Sequence, residues 1–262
     1  MNSTPTNYSI LVFIDFSETS IIALKNAAKL VKSVNGNIQA HYVEPLRRTA
    51  EEENQLTFKR RLTQSLKQSN AKAQKIIAPI AEEEGVEINF TMDWGNIKDS
   101  ILKKVKDTDP DLVILGRRKA KMLDFIGDKL TQFVVDQLDT NVLISGSHHE
   151  LHSFSDLYLG FYGETLEKSE FKIIDHLQES NRSIKYFGIR NKMPEHSTGQ
   201  RDQENNSSFI FPQDGTNAIE ALTSYVVRTN TQLFCIPKNN NLELQPVKEM
   251  VHRLDIPILL YK

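Results

Sequence analysis

Residues 10–14 (Ile-Leu-Val-Phe-Ile) form an unbroken apolar run of strand length, the pattern of a strand covered on both faces, as a parallel sheet requires. The run ends at Asp15. Ser17 or Thr19 can then cap a helix carrying Ile21, Ile22, Leu24, Ala27, Ala28 and Val31 at helical spacing, with Gly36 as its stop. Ile38–Val43 reads as a second strand. Beyond Pro45, Leu56, Leu62, Leu66, Ala73, Ile76, Ile77 and Ile80 recur three, four or seven apart, so one face of a long helix is apolar, and Pro79 is expected to kink or end it. Val86–Met92 is a third strand, Ile97–Val105 a helix, Asp111–Leu115 a fourth strand, Leu130–Leu138 a helix and Asn141–Ser145 a fifth strand. Strict alternation of strand and helix predicts an α/β fold with a doubly wound parallel sheet.

The second half repeats this order in reduced form. Strands are predicted at 157–162, 184–189, 208–211, 232–236 and 258–261, and helices at 166–177, 218–227 and 247–254. Gly95 to Gly116 spans 21 positions and Gly215 to Pro237 spans 22, as an internal duplication would leave. Asp15 to Gly95 spans 80 positions, whereas Phe161 to Gly215, the stretch matched to it, spans only 54. The second copy has therefore lost its long helix. In its place 191–207 is polar and lacks apolar periodicity, so an exposed, mobile loop is expected there. The expected organisation is a first domain over 1–146, a linker over 147–155 and a reduced second domain over 156–262.

Composition narrows the function classes. The 32 basic and 34 acidic residues give a net charge of -2, and the balance holds in both halves, so no broad positive field exists for nucleic acid or an anionic membrane. The start of the chain lacks the pattern of a signal peptide, and no apolar run approaches a membrane span, which points to the cytoplasm. The single cysteine, Cys235, lies in an apolar run and is expected as a core residue. His148, His149 and His152 could place two imidazoles one turn apart for a metal, and His152 with Glu150 or Asp156 could place another ligand pair, but solvated linker histidines are the simpler reading, and no metal is expected.

No GxxxxGK[ST], GxGxxG or GxSxG pattern occurs, so a P-loop, a dinucleotide fingerprint and a nucleophile elbow are all missing from the sequence. In open α/β sheets ligands bind beyond the carboxyl ends of the strands, where the strand order reverses. Asp15, Val43 with Glu44, and the loop after Gly116 fall there. A carboxylate at Asp15 can accept from a ribose hydroxyl or a ring amine, and it can equally close an Asx turn between strand and helix. Arg117, Arg118, Lys119 and Lys121 form a basic cluster that suits phosphate or is simply a solvated charge run.

The opening segment Ile10–Val31, the segment Ala40–Pro45, Asp111–Gly116 with the glycine-bearing loop after it, and Asn141–Ser145 resemble the universal stress protein family. The resemblance covers most of 8–146, and the remainder looks like an eroded second copy. It implies two tandem domains of flavodoxin-like, adenine nucleotide alpha hydrolase-like fold, and a non-catalytic role in stress response as a binding module or regulator. It also implies ATP or another adenine nucleotide as the ligand, at Asp15, Phe16, Val43, Gly116, Arg117, Arg118, Gly127 and Asp128. Family members that bind nucleotide carry Gly, two residues, Gly, nine residues, Gly and then Ser or Thr. Here Gly116 matches, but Lys119 stands for the second glycine, the next interval is two residues shorter, and Asp128 replaces Ser or Thr. A nucleotide-free scaffold acting through protein contacts is the alternative, and a hydrolase of adenylated substrates is a further one with no visible catalytic set. Phe161 at the place of Asp15 and Pro237 at the place of Gly116 argue against a nucleotide in the second copy. The resemblance further implies pairing of the final strands, 141–145 with 258–261, a homodimer, and a regulatory protein as partner.

Overall fold

The computed structural model describes residues 7–45, 55–117, 126–163, 170–181, 183–190, 206–212, 217–238 and 244–262. The chain divides into two compact units, Met1–Gly116 and Arg117–Lys262. Of the loop predicted at 191–207, residues 191–205 lie outside the described residues, as do Arg118, Lys119 and Lys121, while 206–207 already belong to a strand.

The first unit runs β1 (Tyr8–Ile14), α1 (Glu18–Val34), β2 (Gly36–Pro45), α2 (Gln55–Glu84), β3 (Ile88–Gly95), α3 (Ile97–Thr108) and β4 (Leu112–Gly116). Its strands lie in the order β3-β2-β1-β4 and every pair is parallel. The continuous apolar runs explain the middle of the sheet: Ile10, Leu11, Val12 and Leu112–Leu115 are all buried because helices cover both faces. Ala23, Leu24, Ala27, Ala28 and Leu30 of α1 form one buried stripe against β1 and β4.

Two helix ends differ from the sequence expectation. Ser17 is the N-cap of α1, accepting from the Ser20 N–H, but the stop is Asn35, which takes φ 61°, not Gly36. Asparagine tolerates the left-handed region, and Gly36 already belongs to β2. There the Tyr8 carbonyl oxygen lies 2.6 Å from the position of a β-carbon on residue 36, so close strand approach is what requires glycine. Pro79 does not end α2. The helix continues to Glu84, its proline exposed, because Ile77 and Ile80 on the same turns are buried and hold the backbone down.

The second unit runs α4 (Ile126–Gln137), β5 (Asn141–Ser145), β6 (Tyr158–Tyr162), α5 (Ile173–Ser180), β7 (Ser183–Arg190), β8 (Asn206–Pro212), α6 (Ala218–Arg228), β9 (Leu233–Pro237), α7 (Leu244–Arg253) and β10 (Ile258–Tyr261). Its strands lie in the order β5-β10-β9-β6-β7-β8, parallel except for the antiparallel pair β5 and β10. The order β8-β7-β6-β9 repeats β3-β2-β1-β4 of the first unit. β5 is counted with this unit because Val142, Leu143 and Ile144 are in register with Leu260, Leu259 and Ile258. The segment read as a linker is packed here as well: Leu151 and Phe154 are buried, and Ser147 N–H donates to Asp255 at 3.0 Å, while His148, His149 and His152 are exposed.

α5 begins at Ile173 and not at Leu166, since 170–172 form a turn in which the Ile174 N–H donates to Phe171. Phe161 is not the counterpart of Asp15 either. It pairs with Cys235, two positions before Pro237, whereas Phe13 pairs with Leu115, one position before Gly116. Matched through the fourth strands, Phe161 corresponds to Val12, a strand-interior residue, and it is accordingly 1% exposed. Among the described residues no helix is long and apolar enough to cross a membrane.

Candidate functional site

The strand order of the first unit reverses between β1 and β4, and Asp15 and Gly116 stand at the carboxyl ends of those two strands. Asp15 is partly exposed. Its Oδ1 accepts from the Ser17 N–H at 3.0 Å and from the Ser17 hydroxyl, which closes an Asx turn and presents Ser17 as the cap of α1. The Asp15 N–H donates to Ser20 Oγ at 3.3 Å, and Ser20 Oγ donates to the Ser17 carbonyl at 2.9 Å. These bonds tie the end of β1 to the first turn of α1.

Phe16 turns through φ 63°, a conformation rare for a bulky residue and held here by the hydrogen bonds on either side. The turn lays its ring against Tyr42, with centroids 4.6 Å apart, while the Lys72 ammonium of α2 sits 4.6 Å over the same ring. The Tyr42 hydroxyl donates to Glu44 Oε2 at 2.7 Å. Val43 is buried at the level of Asp93 in β3. Phe16, Tyr42 and Glu44 therefore make an aromatic and acidic wall beside Asp15, roofed by a lysine.

Gly116 has a different occupant from the one a phosphate loop would need. A β-carbon there would collide with the carbonyl of Thr19 and the N–H of Ser20, so α1 packs its first turn into the missing side chain. Asp15 and Gly116 consequently grip the same helix end from two strands.

His41 lies two positions before Val43 on the same face of β2 and is 1% exposed. Its Nδ1 is 2.9 Å from Thr91 Oγ1, and its Nε2 is 3.6 Å from Asp93 with no hydrogen-bond partner. Burial, assisted by Lys104 and opposed by Asp93, lowers its pKa to about 4.

In the second unit, Arg117 N–H donates to the Ser145 carbonyl at 3.1 Å, and its guanidinium donates to the carbonyl of Val251 in α7. Gly127 and Asp128 lie in the first turn of α4. Arg118 lies outside the described residues. Among the described residues no group of three or more His, Cys, Asp or Glu is placed to hold a metal ion. Lys72 and Tyr42 escaped the sequence analysis: both belong to long apolar-polar alternations, and only the fold brings them to Phe16.

Residues 7–145 match the model of the universal stress protein family. The chain belongs to the universal stress protein family. A universal stress protein of Archaeoglobus fulgidus aligns over 97% of this chain and 96% of its own, with a TM-score of 0.64 and 13% identity. A putative universal stress protein of Pseudomonas aeruginosa aligns over 98% of this chain and 94% of its own, with a TM-score of 0.56 and 13% identity. No curated protein matches the sequence. The universal stress protein fold, flavodoxin-like and adenine nucleotide alpha hydrolase-like, accounts for the parallel order seen in each unit, and the antiparallel β5–β10 pair is the pairing of final strands, 141–145 with 258–261, that the family resemblance implies.

Proposed function

We propose that this universal stress protein is a non-catalytic binding module of the stress response whose first unit takes an adenine nucleotide at the carboxyl ends of β1, β2 and β4. The observation that carries the reading is the position of Asp15 at the reversal of strand order, where open α/β sheets bind ligands.

The adenosine end of such a ligand fits the residues present. A carboxylate offers about four lone-pair sites, more than the turn to Ser17 uses, so Asp15 can also accept from a ribose hydroxyl. The Phe16–Tyr42 pair supplies a wall for a base. The phosphate end fits less well. Gly116 is filled by α1, the Arg117 guanidinium donates to Val251, and Lys119 and Asp128 replace the residues that binders use. The nucleoside therefore carries the affinity. The non-catalytic part of this proposal is supported by burial of His41 and Cys235, two groups whose acidity is strongly displaced, in the core.

Isothermal titration with AMP and with ATP tests the reading. Saturable binding of both, alike within about threefold and lost in Asp15→Ala, is the expected outcome, about 1.4 kcal/mol marking each tenfold change in affinity. No heat with either nucleotide refutes it, and release of AMP from an adenylated substrate refutes its non-catalytic part.

A second reading, a scaffold without nucleotide that acts on a regulatory protein, is favoured by the structural roles of both Asp15 and Gly116 in holding α1. A silent parent protein and binding gained by Asp128→Ser would support it.

A further inference from the structure

The apolar stripe of α2 outruns the body it packs against. Its second half is anchored by Ser69, Ala73, Ile77 and Ile80, all buried. Among the described side chains from Leu56 to Gln68 none is buried. Yet Phe58, Leu62 and Leu66 continue the same stripe at intervals of four, and Leu66 is 37% exposed. At 1.5 Å per residue the stretch 56–68 is about 20 Å long.

The charge of this first half is one-sided. From Gln55 to Gln68 the sequence has four basic residues and no acidic one, the acidic residues of α2 lying at its far end, Glu82–Glu84. The Arg61 guanidinium lies 5.6 Å over the Phe58 ring, so the basic groups frame the apolar ones instead of standing apart. At about 100° per residue, Leu56, 67% exposed, projects roughly 120° from Leu62, and Lys59, Arg60, Arg61 and Lys67 spread over the remaining circumference.

We propose that residues 56–68 are a docking helix that inserts into an acidic groove with an apolar floor on a partner protein. Helix-in-groove recognition uses apolar anchors at such spacing, and the opposite charge of the walls supplies the orientation. A flat anionic membrane would meet one side only, whereas apolar and basic groups here face several directions. A second copy of the segment would set four positive charges against four.

Calcium-loaded calmodulin, whose open groove is acidic with an apolar floor, serves as the probe of this chemistry. The full chain is expected to bind it with micromolar affinity, more weakly as salt is raised. Leu62→Ser with Leu66→Ser should weaken binding at least tenfold while leaving the thermal midpoint of the protein unchanged. Asp15→Ala should bind as tightly as the parent, so failure of the nucleotide reading and failure of this one are separable. Four outcomes would overturn the proposal: no binding, binding unaffected by the double substitution, equal binding to phosphatidylserine vesicles, or a dimer in solution that the double substitution dissolves.

Discussion

The ammonium of Lys238 donates to the carbonyl oxygen of Leu138 at 3.0 Å, just past the end of α4. It also donates to Thr140 at 3.0 Å. Lys238 follows β9 as Arg117 follows β4, and Arg117 likewise donates to a carbonyl in the last turn of a helix, Val251 of α7. The carbonyls of a final helical turn have no partner within the helix, and a basic side chain both satisfies them and meets the negative end of the dipole. The basic residues that follow both fourth strands are thereby committed to helix ends.

Burial lowers the pKa of Lys238 to about 8, with Asp139 working against that shift and Lys262 adding to it. The folded value lies below the unfolded one, so between about pH 8 and 10.5 the unfolded chain binds the extra proton and stability rises with pH. Replacing Lys238 by Met should flatten this rise. Urea unfolding at pH 8 and pH 10 measures it, and an identical pH dependence in parent and variant would refute the assignment.

The strands were legible because parallel strands buried on both faces must be unbroken apolar runs, as 10–14 and 112–115 are. The α1 cap was legible as far as Ser17 or Thr19 because few residue types satisfy free N–H groups, and the structure uses Ser17. The register of β6 was not, since Phe161 could be placed against β1 only through the distant pairs Phe161–Cys235 and Phe13–Leu115. The wall of the candidate site was equally hidden. Phe16, Tyr42 and Lys72 come from a turn, a strand and a helix, and nothing in any one of those segments signals the other two.

Gly116→Ala should be costly although alanine is the smallest possible change. Its β-carbon would meet the backbone of Thr19 and Ser20, which cannot rotate away as a side chain would. Overpacking of this kind typically costs about 1–3 kcal/mol. A lowered urea midpoint with an unchanged slope would show it, and a neutral substitution would mean that α1 shifts freely on β4.

Cys235 should be inert in the native state. It is fully buried in β9, and that burial raises its thiol well above the usual range, so almost no thiolate forms at neutral pH. Ellman's reagent is expected to leave the folded protein unmodified for as long as it stays folded and to react with one thiol per chain in denaturant. Rapid reaction without denaturant would show that β9 opens.

His41 predicts an acid-sensitive first unit. Its folded pKa of about 4 lies below the ordinary value of 6.5, because burial, and then the charge of Lys104, disfavour the imidazolium more than Asp93 favours it. Above pH 6.5 the ring is largely neutral in both states and its burial carries no cost of deprotonation. As pH falls through 6.5 toward 4, the unfolded chain takes up the proton first, and stability is lost across that window. His41→Gln can keep a hydrogen bond to Thr91 but cannot titrate, so it should remove part of the loss between pH 6.5 and 4.5 while costing some packing against Phe13. Urea midpoints of parent and variant at those two pH values decide the matter. The parent should fall further than the variant, and equal falls would locate the acid sensitivity elsewhere.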